Sequence, residues 1–171
     1  VEDLSIFLDA MVGHNKNDPL SAKRARNSYY RNLFKREEAK YLIGFTDDFG
    51  IFPCDKEVRS MMHNTLKLTQ NLGHEISNTY PDMSKSEYCF QTLRAYMFYC
   101  TYKSLLKKDK SLIKEEVIWN INKAKAITID DLLEAEKARA SIYNDTMKFF
   151  DKFDFLIVPS SIVPPFNSQD K

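Results

Sequence analysis

Apolar and polar positions follow two rhythms along this chain. In VEDLSIFLDAMVG (residues 1–13), Leu4, Phe7, Leu8 and Met11 recur at helical spacing. The stretch reads as an amphipathic helix with those four residues on its buried face. Glu2 and Asp3 fall in its first turn, where exposed N–H groups favour negative charge, and Gly13 is placed to stop it. A helix starting at Val1 has no Ser, Thr, Asp or Asn ahead of it as a cap. HNKNDPLSAKR (14–24) is polar, carries Asp18-Pro19 and reads as a loop. Residues 28–38 are expected to hold a short helix.

The rhythm then shortens. YLIGF (41–45) is an unbroken apolar run rich in β-formers and reads as a buried strand. TDDFGIFPC (46–54) is an irregular connection. Asp55 is an N-cap for a helix along which Val58, Met61, Met62, Thr65, Leu68, Thr69 and Leu72 recur, ended by Gly73. His74–Tyr80 offers a second strand. Strand, helix and strand in this order predict a right-handed unit with parallel strands. Residues 85–107 form a long helix with Tyr88, Phe90, Tyr96, Phe98, Tyr99 and Tyr102 on much of its surface, a pattern expected of a buried helix. Residues 111–126 continue as a helix around Trp119. Thr128 and Asp131 have capping-box spacing at the start of another, which runs to about Phe153. FLIVP (155–159) is continuously apolar, as in a central strand covered on both faces, and SSIVPPFNSQDK trails away in turn residues. Three strands make a thin sheet for this much helix. They are expected to belong to a larger one.

Composition narrows the function. The chain has 171 residues, one domain's worth, and a net charge of +1 from 25 basic and 24 acidic residues. That balance gives no reason to expect nucleic acid or an anionic membrane as partner. No apolar run reaches the roughly 18 residues a membrane span needs. Cys54, Cys89 and Cys100 form no C-x-x-C pair, and free thiols in a reducing cytoplasm are expected. Only four glycines occur, each isolated, so no phosphate loop, nucleophile elbow or dinucleotide fingerprint can be built from them.

Candidate chemistry is sparse. His14, His63 and His74 match no metal-ligand spacing, and a solvated or capping role is expected for each. Ser160 and Ser161 follow the last apolar strand, where α/β sheets place their sites, but PSSIVPP brings no Gly, His or Lys to activate a nucleophile. A pocket role fits them better than a catalytic one. Asp47 and Asp48 could serve acid–base or magnesium chemistry, but TDDFG reads as a turn, since no companion kinase motif accompanies its DFG. The aromatic stripe of 85–107 reads as core rather than as a base-stacking platform. Its basic residues Lys103, Lys107, Lys108 and Lys110 gather at one end, which suits the negative end of the helix dipole.

Several stretches, in order, resemble the amidase signature family. They are VEDLSIFLDAMVG, DPLS (18–21), YLIGFTDDFGIFPCDKEV (41–58), LGHEI (72–76), IKEEVIWNINKAKAIT (113–128) and AEKARASIYNDTMKFFDKFDFLIVPSSIVPPF (135–166). Glu115 stands where the family usually has Pro, Lys125 near a usual Gly, and Ser160 where Thr is common. The resemblance implies an α/β fold: a segment of the amidase-signature fold, mostly helices packed on a few strands of a larger mixed sheet. Residues 1–171 would then form a single partial domain, the central portion of an amidase domain. It also implies amide hydrolysis through a Ser–cis-Ser–Lys triad without metal or organic cofactor. In the family the triad and the Gly-rich oxyanion loop precede the segment matched by Val1, so no serine or lysine here takes a catalytic role. The missing cap of the first helix would be a family serine. The chain alone is expected to be inactive. Its pocket candidates are Trp119, a large aromatic in the best-matching stretch, with Ser160, Ser161 and Ile162 at a strand's C-terminal end. A small-molecule amide, the remainder of the amidase domain or a homo-oligomer partner are the expected associates. The alternatives are a non-catalytic scaffold or interaction protein and a fragment like the A-subunit of glutamyl-tRNA amidotransferase.

Overall fold

The computed structural model describes residues 1–21, 23, 27–35, 39–107 and 110–169. Four of the expectations above run onto residues outside this set: the loop at 14–24, the short helix at 28–38, Lys108 of the basic cluster, and the last two residues of the tail. The chain divides into two compact units, Val1–Ala39 and Lys40–Lys171.

The first unit holds helices α1 (Glu2–Met11) and α2 (Tyr29–Asn32). Val1 stands at the N-cap of α1 without a side-chain cap bond, as the sequence requires. The buried face differs from the expected one. Ser5 is the buried residue, its hydroxyl donating to the Glu2 carbonyl at 2.7 Å, while Leu4, Phe7 and Met11 are each more than half exposed. Periodicity found the apolar stripe, but α2 of the same unit leaves these three residues open. Val12, in extended conformation, ends the helix one residue before Gly13. Asp9 joins the two helices, accepting from the Ser28 hydroxyl at 2.6 Å and from the N–H groups of Tyr29 and Tyr30.

The second unit contains strands β1 (Leu42–Phe45), β2 (Glu75–Ser77) and β3 (Phe155–Ile157), with helices α3 (Lys56–Asn71), α4 (Ser86–Tyr102), α5 (Glu115–Ala124) and α6 (Ile129–Phe150). Short 3₁₀ turns at Lys103–Lys107 and Lys110–Leu112 link α4 to α5. The strands are all parallel in the order β2-β1-β3, with Ile43 opposite Ile76 on one side and Phe155 on the other. The β1–α3–β2 unit is therefore parallel, as read. β3 is not the central strand of this sheet. β1 takes that place, and Phe155 is half exposed.

Two caps fall where the sequence put them. Asp55 accepts from the Glu57 N–H at 2.8 Å to start α3, and Thr128 and Asp131 form a complete capping box on α6. Gly73, at φ +91, ends α3 in the left-handed conformation that glycine adopts without penalty. The core against the sheet comes from Ile43, Val58, Met62 and Leu66, so Met61, Leu68 and Leu72 of the predicted stripe lie outside it. The seam of α4 is a second correction. Cys89, Thr92 and Ala95 are buried, whereas Tyr88, Phe90, Tyr96 and Tyr102 are exposed. Small side chains suit the close packing of α4 on α5 and α6, where Ile121 of α5 and Ala135 and Ala138 of α6 are likewise buried, and the exposed aromatics lie outside this seam.

Candidate functional site

Parallel strands present all their C-terminal ends at one edge, and in sheets of this kind ligands bind beyond that edge. Here the edge carries two groups of side chains. The first follows β1. Thr46, 2% exposed, accepts from the N–H groups of Asp48 and Phe49 through its hydroxyl, and Asp48 accepts from the Gly50 N–H at 2.7 Å. These bonds hold a turn in which Phe49 and Gly50 both have positive φ, at 53° and 70°. DFG is thus a turn, as expected. Arg59, from α3, donates to Asp47 at 3.3 Å and to Asp48 at 3.1 Å, and His63 Nε2 lies 3.1 Å from Asp47. The Gly50 N–H and then the Arg59 guanidinium hold the Asp48 carboxyl below the usual carboxylate range. Asp47 Oδ1 is buried and has no hydrogen-bond partner among the described residues. The paired carboxylates are therefore engaged by a cation and clamp the turn to α3.

The second group follows β3. Residues 158–166 leave the sheet edge and run past α3, tied to it where the Asp55 N–H donates to the Ile162 carbonyl at 2.8 Å. Between them lies a cavity of about 870 Å³, with Val58, Met61 and Met62 on the α3 side and Ser160, Ser161 and Phe166 facing them. Its size falls within the range of small-molecule sites. The Ser161 hydroxyl donates to the Val163 carbonyl at 2.8 Å and accepts from the Val163 N–H, so it braces its own turn.

The four pocket candidates separate. Ser160 and Ser161 line the cavity. Ile162 contributes its backbone to the tie with α3, and its side chain is not part of the wall. Trp119 lies on α5, 55% exposed, with the Lys123 ammonium 4.9 Å from its ring centre, and takes no part in the cavity. Val58, Met61 and Met62 of the opposing wall were missed as site residues, since they carry the periodicity of a core helix face. The usable signal was that α3 joins two parallel strands and so begins at the same sheet edge where β3 ends.

Other groups are satisfied or dispersed. His74 Nδ1 accepts from the Tyr41 N–H at 3.4 Å, and the two rings pack together. All three cysteines are free, and burial pushes the Cys89 thiol up. Among the described residues no cluster of three His, Cys, Asp or Glu side chains could hold a metal, and no helix is long and apolar enough to cross a membrane. A separate apolar trough of about 610 Å³ runs between α4 and α6, floored by Cys89 and Leu93 and edged by Arg94 and Arg139.

The chain is similar to several known proteins. An acylamidase of Rhodococcus erythropolis is 24% identical over 162 residues, 94% of this chain but 34% of that protein. The A-subunit of a glutamyl-tRNA(Gln) amidotransferase from Helicobacter pylori strain G27 is 37% identical over 76 residues, 44% of this chain and 16% of that protein. Among solved structures, a bacterial aryl acylamidase of the amidase signature family superposes with a TM-score of 0.80 at 16% identity, covering 96% of this chain and 36% of its own. 6-Aminohexanoate cyclic dimer hydrolase does so with a TM-score of 0.72 at 15% identity, covering 95% and 36%. The chain spans about a third of the length of the acylamidase and of these solved chains. The family model for amidases matches residues 1–171 from end to end, and with that match and the shared α/β fold the chain belongs to the amidase signature family.

Proposed function

We propose that the domain to which this chain contributes hydrolyses a small-molecule amide to a carboxylate and an amine through a serine nucleophile. In this reading the 171 residues supply scaffold and part of the substrate wall rather than the nucleophile. The observation that carries it is the 870 Å³ cavity at the C-terminal edge of the parallel sheet, where Ser160 and Ser161 meet the apolar face of α3. Neither serine is offered as the nucleophile. Ser161 is spent on its own turn, and a serine needs an adjacent base to attack a carbonyl. Trp119 does not enter the proposal, and Ile162 enters it as the tether of the wall. The remainder of an amidase domain is the partner this reading requires. Three free thiols suit a reducing cytoplasm as its location.

Similarity to the acylamidase over 94% of the chain, against 44% for the amidotransferase protein, favours an acyl amide over glutamine as substrate. Two measurements test the proposal. The purified chain should show no hydrolysis of 4-nitroacetanilide above buffer; turnover abolished by Ser160→Ala or Ser161→Ala would overturn the scaffold role. With ¹³C-methyl-methionine in the chain, 4-methylacetanilide should shift the Met61 and Met62 signals. Unmoved signals would remove the cavity from the substrate site.

A further inference from the structure

The cavity beyond β3 is apolar over most of its wall but not uniform in charge. Ser160 offers a hydroxyl, while those of Thr65 and Ser161 donate to the Met61 and Val163 carbonyls, and Glu57, in the first turn of α3, is the single charged lining residue among the described residues. The Glu57 backbone N–H is used by the Asp55 cap, but its carboxylate has no hydrogen-bond or ion-pair partner among the described residues. The two cations nearest in sequence do not compensate it within the cavity. Arg59 is committed to Asp47 and Asp48, and Lys56 lines a different groove, with Ser60 and Lys67, on another side of α3. A bound molecule would therefore meet apolar walls, the Ser160 hydroxyl and one negative charge that no lining cation offsets.

Resting on the cavity as substrate wall, we propose that it selects amides that carry a protonated amine on an apolar frame and turns away those with a carboxylate in that place. The apolar frame covers Met61, Val163 and Phe166, removing their surface from water. The ammonium then sits against Glu57, whose charge no lining cation among the described residues offsets. A carboxylate meets repulsion at the same point and loses its own hydration without return.

Three compounds on one frame test this: 4-(aminomethyl)acetanilide, 4-methylacetanilide and 4-acetamidobenzoate. The purified chain carries ¹³C-methyl-methionine, so Met61 and Met62 report the cavity and Met97 reports the separate trough between α4 and α6. The amine should shift Met61 and Met62 and leave Met97 unmoved. It should bind about tenfold more tightly than the benzoate, which corresponds to about 1.4 kcal/mol. Glu57→Gln should bring the two within about twofold, and Glu57→Lys should reverse the order. Both substitutions are on the exposed side of a helix turn, and an unchanged Met97 signal shows that each variant has folded. Equal binding of amine and benzoate, or a preference that survives Glu57→Gln, with Met61 and Met62 still shifting, overturns the charge selection and leaves the cavity reading standing. If none of the three compounds moves Met61 or Met62, the cavity reading falls and the selection falls with it.

Discussion

Gly44 sits in the middle of the central strand, and a single added methyl there would have nowhere to go. Its Cβ would collide with the Thr79 carbonyl oxygen and lie 2.5 Å from Cζ of Phe149. The carbonyl is backbone, and the Phe149 ring is held by a parallel stack on Phe153 with centroids 4.5 Å apart, so neither neighbour yields easily. Gly44→Ala should cost about 1–3 kcal/mol, as overpacking does elsewhere, read as a lower urea midpoint at unchanged slope. A stability equal to the parent's would mean that α6 does not close on the strand as described. Asp48 makes a different kind of prediction. Its pKa is lowered in the folded chain, first by the Gly50 N–H and then by Arg59. A depressed carboxyl contributes stability that is complete above its unfolded value, about 3.9, and is lost as pH falls through the folded value. Thermal midpoints should therefore drop more steeply below about pH 4 for the parent than for Asp48→Asn. Parallel curves for the two proteins would dissociate Asp48 from the acid transition.

At the scale of elements, local chemistry was easier to read than burial. The Thr128 cap illustrates the first. Its hydroxyl accepts from the Asp131 N–H at 3.1 Å while the Asp131 carboxylate accepts from the Thr128 N–H at 2.8 Å, and both partners lie within one turn of sequence. Thr128→Ala should lower stability by about 1 kcal/mol, and Thr128→Ser should restore most of it. Equal stability of all three proteins would show that this end of α6 is held by packing alone. Asp55, Gly73 and the β1–α3–β2 order were legible for the same reason, since the signals are short-range. The buried seam of α4 was not. The aromatics gave the stronger hydrophobic signal, yet Cys89, Thr92 and Ala95 face α5 and α6. Helical spacing identifies faces, and only the approach distance of the neighbouring helix decides which face is buried. The site divides in the same way. Ser160 and Ser161 follow from the rule about strand ends, whereas Met61 and Met62 reach them only through a contact about a hundred residues away in sequence, which the pattern of α3 does not encode.

At the scale of the whole molecule, many large apolar side chains stand open to solvent: Phe90 and Met97 on α4, Leu4 and Phe7 on α1, and Tyr143 on α6 are all exposed. The outer edges of β2 and β3 have no strand beside them in the described sheet. Surfaces of this kind associate when left uncovered. Met97, at the trough between α4 and α6, stands one helical turn beyond Arg94, so Met97→Glu places a carboxylate beside a guanidinium at favourable spacing. The substitution removes exposed apolar area without opening a cavity. Light scattering from the purified chain should decrease in this variant, while the urea midpoint stays within about 0.5 kcal/mol of the parent's. A larger loss of stability would show that Met97 is packed rather than open. Undiminished scattering would place the adhesive surface elsewhere, on α1 or along the strand edges.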